Sequence, residues 1–202
     1  MQSSVRWLGL LALFSGVALL VHILAGSSLP LALGITGTGS AVMLAFAWQR
    51  LTPARRRQFA DHLKVGLMAG VVATAVYDAA KYGLSLVDGS GFNPFGAIRI
   101  FGALLVGQAA PSGLIFGAGI GFHLFNGILF GVAFSVMFGT KGVWAGILWG
   151  LFLETFQLTL YPGWLDISAY REFATISALG HVAYGATLGG LSRFALARRG
   201  YS

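Results

Sequence analysis

Residues 113–138 read GLIFGAGIGFHLFNGILFGVAFSVMF, and none of them is Asp, Glu, Lys or Arg. A helix needs about 20 apolar residues to cross a hydrocarbon core of ~30 Å, so this stretch reads as a membrane crossing. His123 and Asn126 lie one turn apart inside it, where a polar group facing lipid would be expensive.

The rest of the chain repeats the pattern. Of its 202 residues, 56% are hydrophobic and only 9% charged, with a mean hydropathy of +0.79. That composition predicts an all-α polytopic membrane protein. Six apolar runs are long enough to cross, at roughly 6–25, 29–48, 64–87, 113–138, 142–161 and 173–192. Together they make residues 1–202 a single membrane domain with the bilayer as its partner, alongside other membrane subunits or a second copy. The first run, with Arg6 ahead of it and Ala25-Gly26-Ser27-Ser28 behind, resembles a signal peptide; it is long for one, and a retained helix is expected. The chain has no cysteine, which excludes disulfides, thiolate metal sites, covalent c-type haem and cysteine nucleophiles.

The net charge of +7 does not point to nucleic acid, because the basic residues flank the spans. Arg50, Arg55, Arg56, Arg57 and Lys64 lie between the second and third runs. The positive-inside rule makes that loop cytoplasmic, and six crossings then place both termini inside. Trp7, Trp48 and Trp144 fall near inner ends, and Tyr82, Tyr161, Trp164 and Tyr170 near outer ends. Residues 88–112 open with the turn signal Asp88-Gly89-Ser90-Gly91, then Asn93-Pro94, an N-cap followed by proline at the first helical position. A helix over 94–110 is expected to be re-entrant or interfacial on the outer face. If it crossed, Arg193, Arg198 and Arg199 would be outside.

The 30 glycines recur at a spacing of four: Gly66 and Gly70; Gly113, Gly117 and Gly121; Gly127 and Gly131; Gly142, Gly146 and Gly150; Gly185 and Gly189. Such rows let membrane helices approach closely. His62, His123 and His181 each begin a His-x3-Gly-x3-Gly pattern, either an internal duplication or chance in a glycine-rich chain.

The chemistry rests on a few polar residues at one level. Asp78 and Lys81 in the third run, His123 and Asn126 in the fourth, Glu154 in the fifth, and His181 and Tyr184 in the sixth form an intramembrane cluster. From their distances to the outer span ends, the acids and imidazoles lie roughly 10–15 Å below the outer boundary. Three readings compete. In the first, Asp78–Lys81 is a local ion pair and the rest are hydrogen bonds that fix helix register. In the second, a cavity open to the outside binds a proton, a cation or a small solute. In the third, His123 and His181 ligate haem, or with Glu154 and Asp78 hold a divalent metal. No nucleophile elbow, Walker loop, H-E-x-x-H or dinucleotide fingerprint occurs, so no catalytic residue is expected.

From His123 onward the chain resembles small bacterial inner-membrane proteins of the YagU type. The resemblance rests on Phe125-Asn126, on Trp144-x-Gly146-x3-Gly150, and on Gly180-His181 preceded by the acidic Glu172. It covers roughly 75 residues. The family's middle region is longer than residues 88–112, and the first span is additional here. The resemblance implies a plasma-membrane protein with no assigned reaction. The sequence thus predicts a small permease-like or channel-like protein, or a membrane-complex subunit, without a resident cofactor; a haem- or metal-binding redox subunit is the alternative.

Overall fold

The structure, a computed structural model, describes residues 3–89, 93–164 and 170–201. These residues form helices and no strands. The first apolar run is not one regular helix. α1 (Ser3–Arg6) leads into a 3-10 segment (Trp7–Leu13) and then α2 (Phe14–Ala25). Gly9, in the 3-10 segment, touches the helix over Ser112–Phe138: a Cβ there would lie 2.6 Å from Met137 Cγ and 2.9 Å from the Ala133 carbonyl oxygen. Gly26 stops α2 in a left-handed conformation, with φ 67°. Only glycine adopts that conformation cheaply. The small residues resembling a cleavage region are therefore a helix stop and reversal into α3 (Leu29–Arg50), which has proline in its first turn.

α4 (Pro53–Asp88) has 36 residues, ~54 Å of helix and longer than a hydrocarbon core. It begins at Pro53, behind the N-cap Thr52, whose hydroxyl accepts from the Arg55 amide. The basic stretch expected as a loop over 50–63 is therefore mostly helix. Arg56 Nε donates to the Trp48 carbonyl at 3.0 Å, placing a cation on the carbonyl end of α3.

α5 (Gly96–Val106) has 11 residues, ~16 Å, too short to cross. It starts later than the Asn93-Pro94 pattern suggested. Asn93 Oδ1 accepts from the Phe95 amide at 2.9 Å, and Pro94 and Phe95 form a turn ahead of the helix. α5 lies flush on α6 (Ser112–Phe138). A Cβ on Gly102 would strike the Ile115 carbonyl oxygen, and one on Gly119 the Ile98 carbonyl oxygen.

α7 (Val143–Trp164) and α8 (Tyr170–Ala197) complete the bundle. Among the described residues, five stretches are long and apolar enough to cross a membrane: Trp7–Ala25, α3, α4, α6 and Val143–Leu160. α8, expected as the sixth crossing, is not among them, though it has 28 residues. Arg171, Glu172, His181, Arg193 and its serines lower its hydropathy. Its Ser177, Tyr184, Leu188 and Ser192 are buried instead in the bundle, against α4 and α7.

Two glycine-lined interfaces hold the bundle. On α4 and α6, Cβ atoms at Gly66 and Gly70 would lie 2.6 Å from Val132 Cα and 2.9 Å from Ile128 Cα, and Gly127 and Gly131 meet Thr74 and Gly70 in return. On α7 and α8, Gly146 abuts Gly185 and Gly189, and Gly150 abuts the His181 carbonyl. α4 also packs on α8. The row Gly113, Gly117 and Gly121 behaves differently from the expectation: no atom lies within 4 Å of a Cβ built there. On α6 it is the intervening Gly119 that faces α5.

Trp7, Trp144 and Tyr82 point outward, 64%, 79% and 56% exposed, as belt residues do. The side chains of Tyr161, Trp164 and Tyr170 lie outside the described residues. At the basic end the chain's tail folds onto α4. Arg199 Nη1 donates to Asp61 Oδ1 at 2.6 Å, and the Tyr201 hydroxyl to Asp61 Oδ2 at 2.9 Å. Burial, then the bond to Asp61, push the Tyr201 hydroxyl above the usual tyrosine pKa. Next to it, His62 Nδ1 donates to the Ser135 carbonyl at 2.6 Å and Ser135 Oγ donates to the His62 carbonyl at 2.9 Å, locking α4 to α6.

Candidate functional site: a polar cavity between α6 and α7

α6 and α7 are neighbours in sequence but barely touch, and a cavity of about 110 Å³ lies between them. Helical spacing supplies its walls. α4 contributes Thr74, Tyr77, Asp78 and Lys81, and α6 contributes His123, Asn126, Gly127 and Phe130. Both sets follow the i, i+3, i+4, i+7 stripe of one helix face. α7 adds Leu153 and Gln157, α8 adds His181 and Tyr184, and α5 adds Ile98 and Phe101.

The four ionisable groups read as one layer form two pairs. His123 Nε2 lies 2.9 Å from Asp78 Oδ1, with 21% and 29% of the side chains exposed. His181 Nδ1 lies 2.7 Å from Glu154 Oε2, at 10% and 2% exposure. Ser177 Oγ donates to the same Glu154 oxygen at 2.8 Å, and the Ser177 carbonyl is 3.0 Å from His181 Nδ1. His181 Nδ1 thus faces two acceptors, and it carries the proton when Glu154 is ionised. Glu154 Oε1 is buried without a hydrogen-bond partner. A buried carboxylate oxygen in that state is where a proton, water or ion is needed.

Tyr77 joins the pairs. Its ring centroid lies 6.0 Å from that of His123, 4.8 Å from that of His181 and 6.4 Å from that of Tyr184. The Tyr184 hydroxyl donates to the Gly127 carbonyl at 2.7 Å, bridging α8 to α6. Lys81 does not pair with Asp78, as its i+3 position suggested. Its Nζ donates to the Tyr77 hydroxyl at 3.3 Å and sits 4.9 Å from the centre of that ring. His123 has taken Asp78 instead, since a partner on the facing helix reaches the carboxylate more directly than a residue on its own. Gly180 makes room: a Cβ there would lie 2.8 Å from Lys81 Cγ and 3.1 Å from the Tyr77 ring. Asn126 lines the cavity, and its Oδ1 is buried without a partner.

The metal alternative meets a different arrangement. No group of three His, Asp or Glu among the described residues could hold a metal ion, because the two imidazoles are drawn apart into separate carboxylate pairs. For haem, the Tyr77 ring lies against both imidazoles, and each imidazole already has one ring nitrogen on a carboxylate. Sequence reading missed Tyr77, Thr74, Ser177 and Gln157. Tyr77 and Thr74 share the Asp78–Lys81 stripe, and Ser177 is one turn from His181, so the same helical spacing would have found three of them.

No protein-family model matches the chain, and no curated protein or solved structure is similar to it. Fold and site together define the class: an all-α polytopic membrane protein with a titratable polar cavity inside the bundle.

Proposed function

We propose that this is a non-enzymatic, permease-like protein of the bacterial plasma membrane whose cavity binds a solute together with protons. The reading rests on one observation: two histidine–carboxylate pairs flank Tyr77, and Asp78, His123 and His181 line one cavity with it. With both acids and Lys81 ionised and both imidazoles neutral, the layer carries −2 + 1 = −1, and proton uptake on the imidazoles takes it to 0 and then +1. The affinity of the cavity for a charged solute therefore changes sign with its protonation, which is the basis of proton coupling.

In this reading α8 is a sixth crossing, tolerated because its polar residues face the bundle rather than lipid. Both termini are cytoplasmic, the cavity opens outward past α5, and the partners are the bilayer with other membrane subunits or a second copy. The resemblance to YagU-type proteins supports the plasma-membrane location.

The absence of cysteine makes the test clean. Asn126→Cys should react with a membrane-impermeant maleimide added outside intact cells, and Ser135→Cys should not. In vesicles under a potassium–valinomycin clamp, the protein should admit protons, and His123→Ala with His181→Ala should abolish that flux while the folded yield is kept. An unreactive Asn126→Cys, together with proton entry no different between wild type and the double variant, would refute the proposal.

A further inference from the structure

A second cavity adjoins the first. It has a volume of about 190 Å³ and lies between α2, α6 and α7. Leu13, Val17, Leu20, Phe152 and Phe156 make it apolar. Val17, Phe152 and Phe156 are 44%, 48% and 40% exposed on the surface that faces lipid, so this cavity opens sideways toward the bilayer. Its inner wall is shared with the polar cavity: Asn126, Phe130, Leu153, Gln157 and His181 line both. Gly16 keeps the passage open beside Phe130, since a Cβ there would lie 2.9 Å from Phe130 Cζ.

The polar end holds a buried amine with no carboxylate in contact among the described residues. Lys81 lines the polar cavity and is 93% buried, given its exposure of 7%. Among the described residues no carboxylate lies within 4.0 Å of its Nζ, because Asp78 and Glu154 are both taken by imidazoles. Since Lys81 Nζ donates to the Tyr77 oxygen, the Tyr77 O–H is left to donate elsewhere. An ammonium and a hydroxyl side by side are the donor set of a carboxylate. Beyond them the wall passes directly into an apolar passage.

We propose that the two cavities form one site for a single-chain amphipathic carboxylate, a fatty acid. Its head group sits on Lys81 and Tyr77, and its alkyl chain runs past Phe130 and Leu153 into the groove and out toward lipid. The inference rests on the reading of the polar cavity as a binding site and adds the class of solute. A tail moving from bilayer to groove exchanges one apolar medium for another, so selectivity falls on the head group. The charge logic is consistent: an anionic head is favoured when the imidazoles are protonated, so the acid and its proton enter together.

The test is equilibrium binding of radiolabelled palmitate to the protein purified in maltoside detergent. Saturable binding of one palmitate per chain is expected. Lys81→Met should weaken it about tenfold or more, and Lys81→Arg should restore it, because the loss is that of a charge-assisted hydrogen bond. Leu153→Trp, which blocks the junction, should weaken palmitate while leaving the fold intact by circular dichroism. Hexadecanol should compete poorly, and acetate should not compete. Competition by hexadecanol at palmitate's own concentration would overturn the head-group assignment, and competition by acetate the groove. Tighter binding of hexadecyl phosphate would overturn the carboxylate class. No saturable palmitate binding would overturn the whole inference; if outside labelling of Asn126→Cys and histidine-dependent proton entry still held, the cavity reading would survive without it.

Discussion

Gly185→Ala adds one methyl group at the close backbone contact between α7 and α8. Its Cβ would strike the Gly146 carbonyl oxygen and lie 2.7 Å from Gly146 C and 2.9 Å from Ile147 Cα. All three are backbone atoms, so no side-chain rotation relieves the clash and α7 must move away from α8. A gap of roughly 0.5–1 Å forfeits a quarter to a half of each dispersion contact along the seam, and overpacking of this kind typically costs about 1–3 kcal/mol. Taking ~2 kcal/mol, the melting temperature of a chain this size should fall by roughly 4–8 °C. The control is Gly117→Ala, on the row where no atom lies within 4 Å. There the substitution should leave stability unchanged or raise it by up to ~1 kcal/mol, the helix propensity gained over glycine. Thermal melts of the helical circular dichroism signal in detergent read both variants. A Gly185→Ala protein that melts with wild type, or a Gly117→Ala protein that melts as low as Gly185→Ala, would show that close backbone approach is not what holds α7 to α8.

Two further outcomes follow from other parts of the bundle. Reporter fusions after Ser202 and near Arg57 should report cytoplasm, and a fusion after Gly89 should report the outside; an external C-terminus would mean that α8 does not cross as proposed. Tyr201→Phe should loosen the tail, which Arg199 still holds to Asp61, at a cost of ~1 kcal/mol, because the lost bond is partly exposed and screened. The folded Tyr201 value is raised above the unfolded one of about 10, so its contribution is complete below that pH and is lost as pH climbs through the folded value. Carboxypeptidase trimming of the tail in wild type should therefore accelerate on the alkaline side, and a tail trimmed equally fast in both proteins at neutral pH would remove the latch.

That the residues of the polar layer lie close enough along their helices to meet was legible in the sequence because the rise of an α-helix is fixed, and two of the contacts are His123–Asp78 and His181–Glu154. Counting residues from the span ends put Asp78, His123, Glu154 and His181 at one level. Rotation was not legible. α6 is apolar all round, so no stripe of hydrophobicity told which way His123 pointed, and His–carboxylate pairing could not be foreseen. The same gap misled the reading of Lys81. On one helix, i and i+3 look like partners, but a carboxylate on α6's side of α4 is reached by His123 first. Asn93-Pro94 failed for a local reason: the asparagine side chain bonds the Phe95 amide two residues on, forming a turn that competes with a helix N-cap. α8 reads as a crossing by length and as too polar by composition, because its serines and His181 are spent on contacts inside the bundle, which a hydropathy average cannot see.

The glycine rows explain why there is a cavity at all. Gly66, Gly70, Gly127 and Gly131 draw α4 onto α6, and Gly146, Gly150, Gly185 and Gly189 draw α7 onto α8. α4 and α8 join the two pairs. With α4 drawn onto α6 and α7 onto α8, α6 meets α7 through Phe134, Phe138 and Trp149, and a cavity is left between them. The inward stripes touch through His123–Asp78 and Tyr184–Gly127 and otherwise line that cavity. Polar side chains on those stripes avoid lipid without filling the space between them, which is why Asn126 Oδ1 on the cavity wall can be buried and still lack a partner. A bundle built only for stability would close that gap with apolar side chains, since an unpaired buried polar atom costs about 1–3 kcal/mol. Asn126 Oδ1 and the buried Lys81 amine, which has no carboxylate within 4.0 Å among the described residues, both line that cavity, and they support the binding role proposed for it.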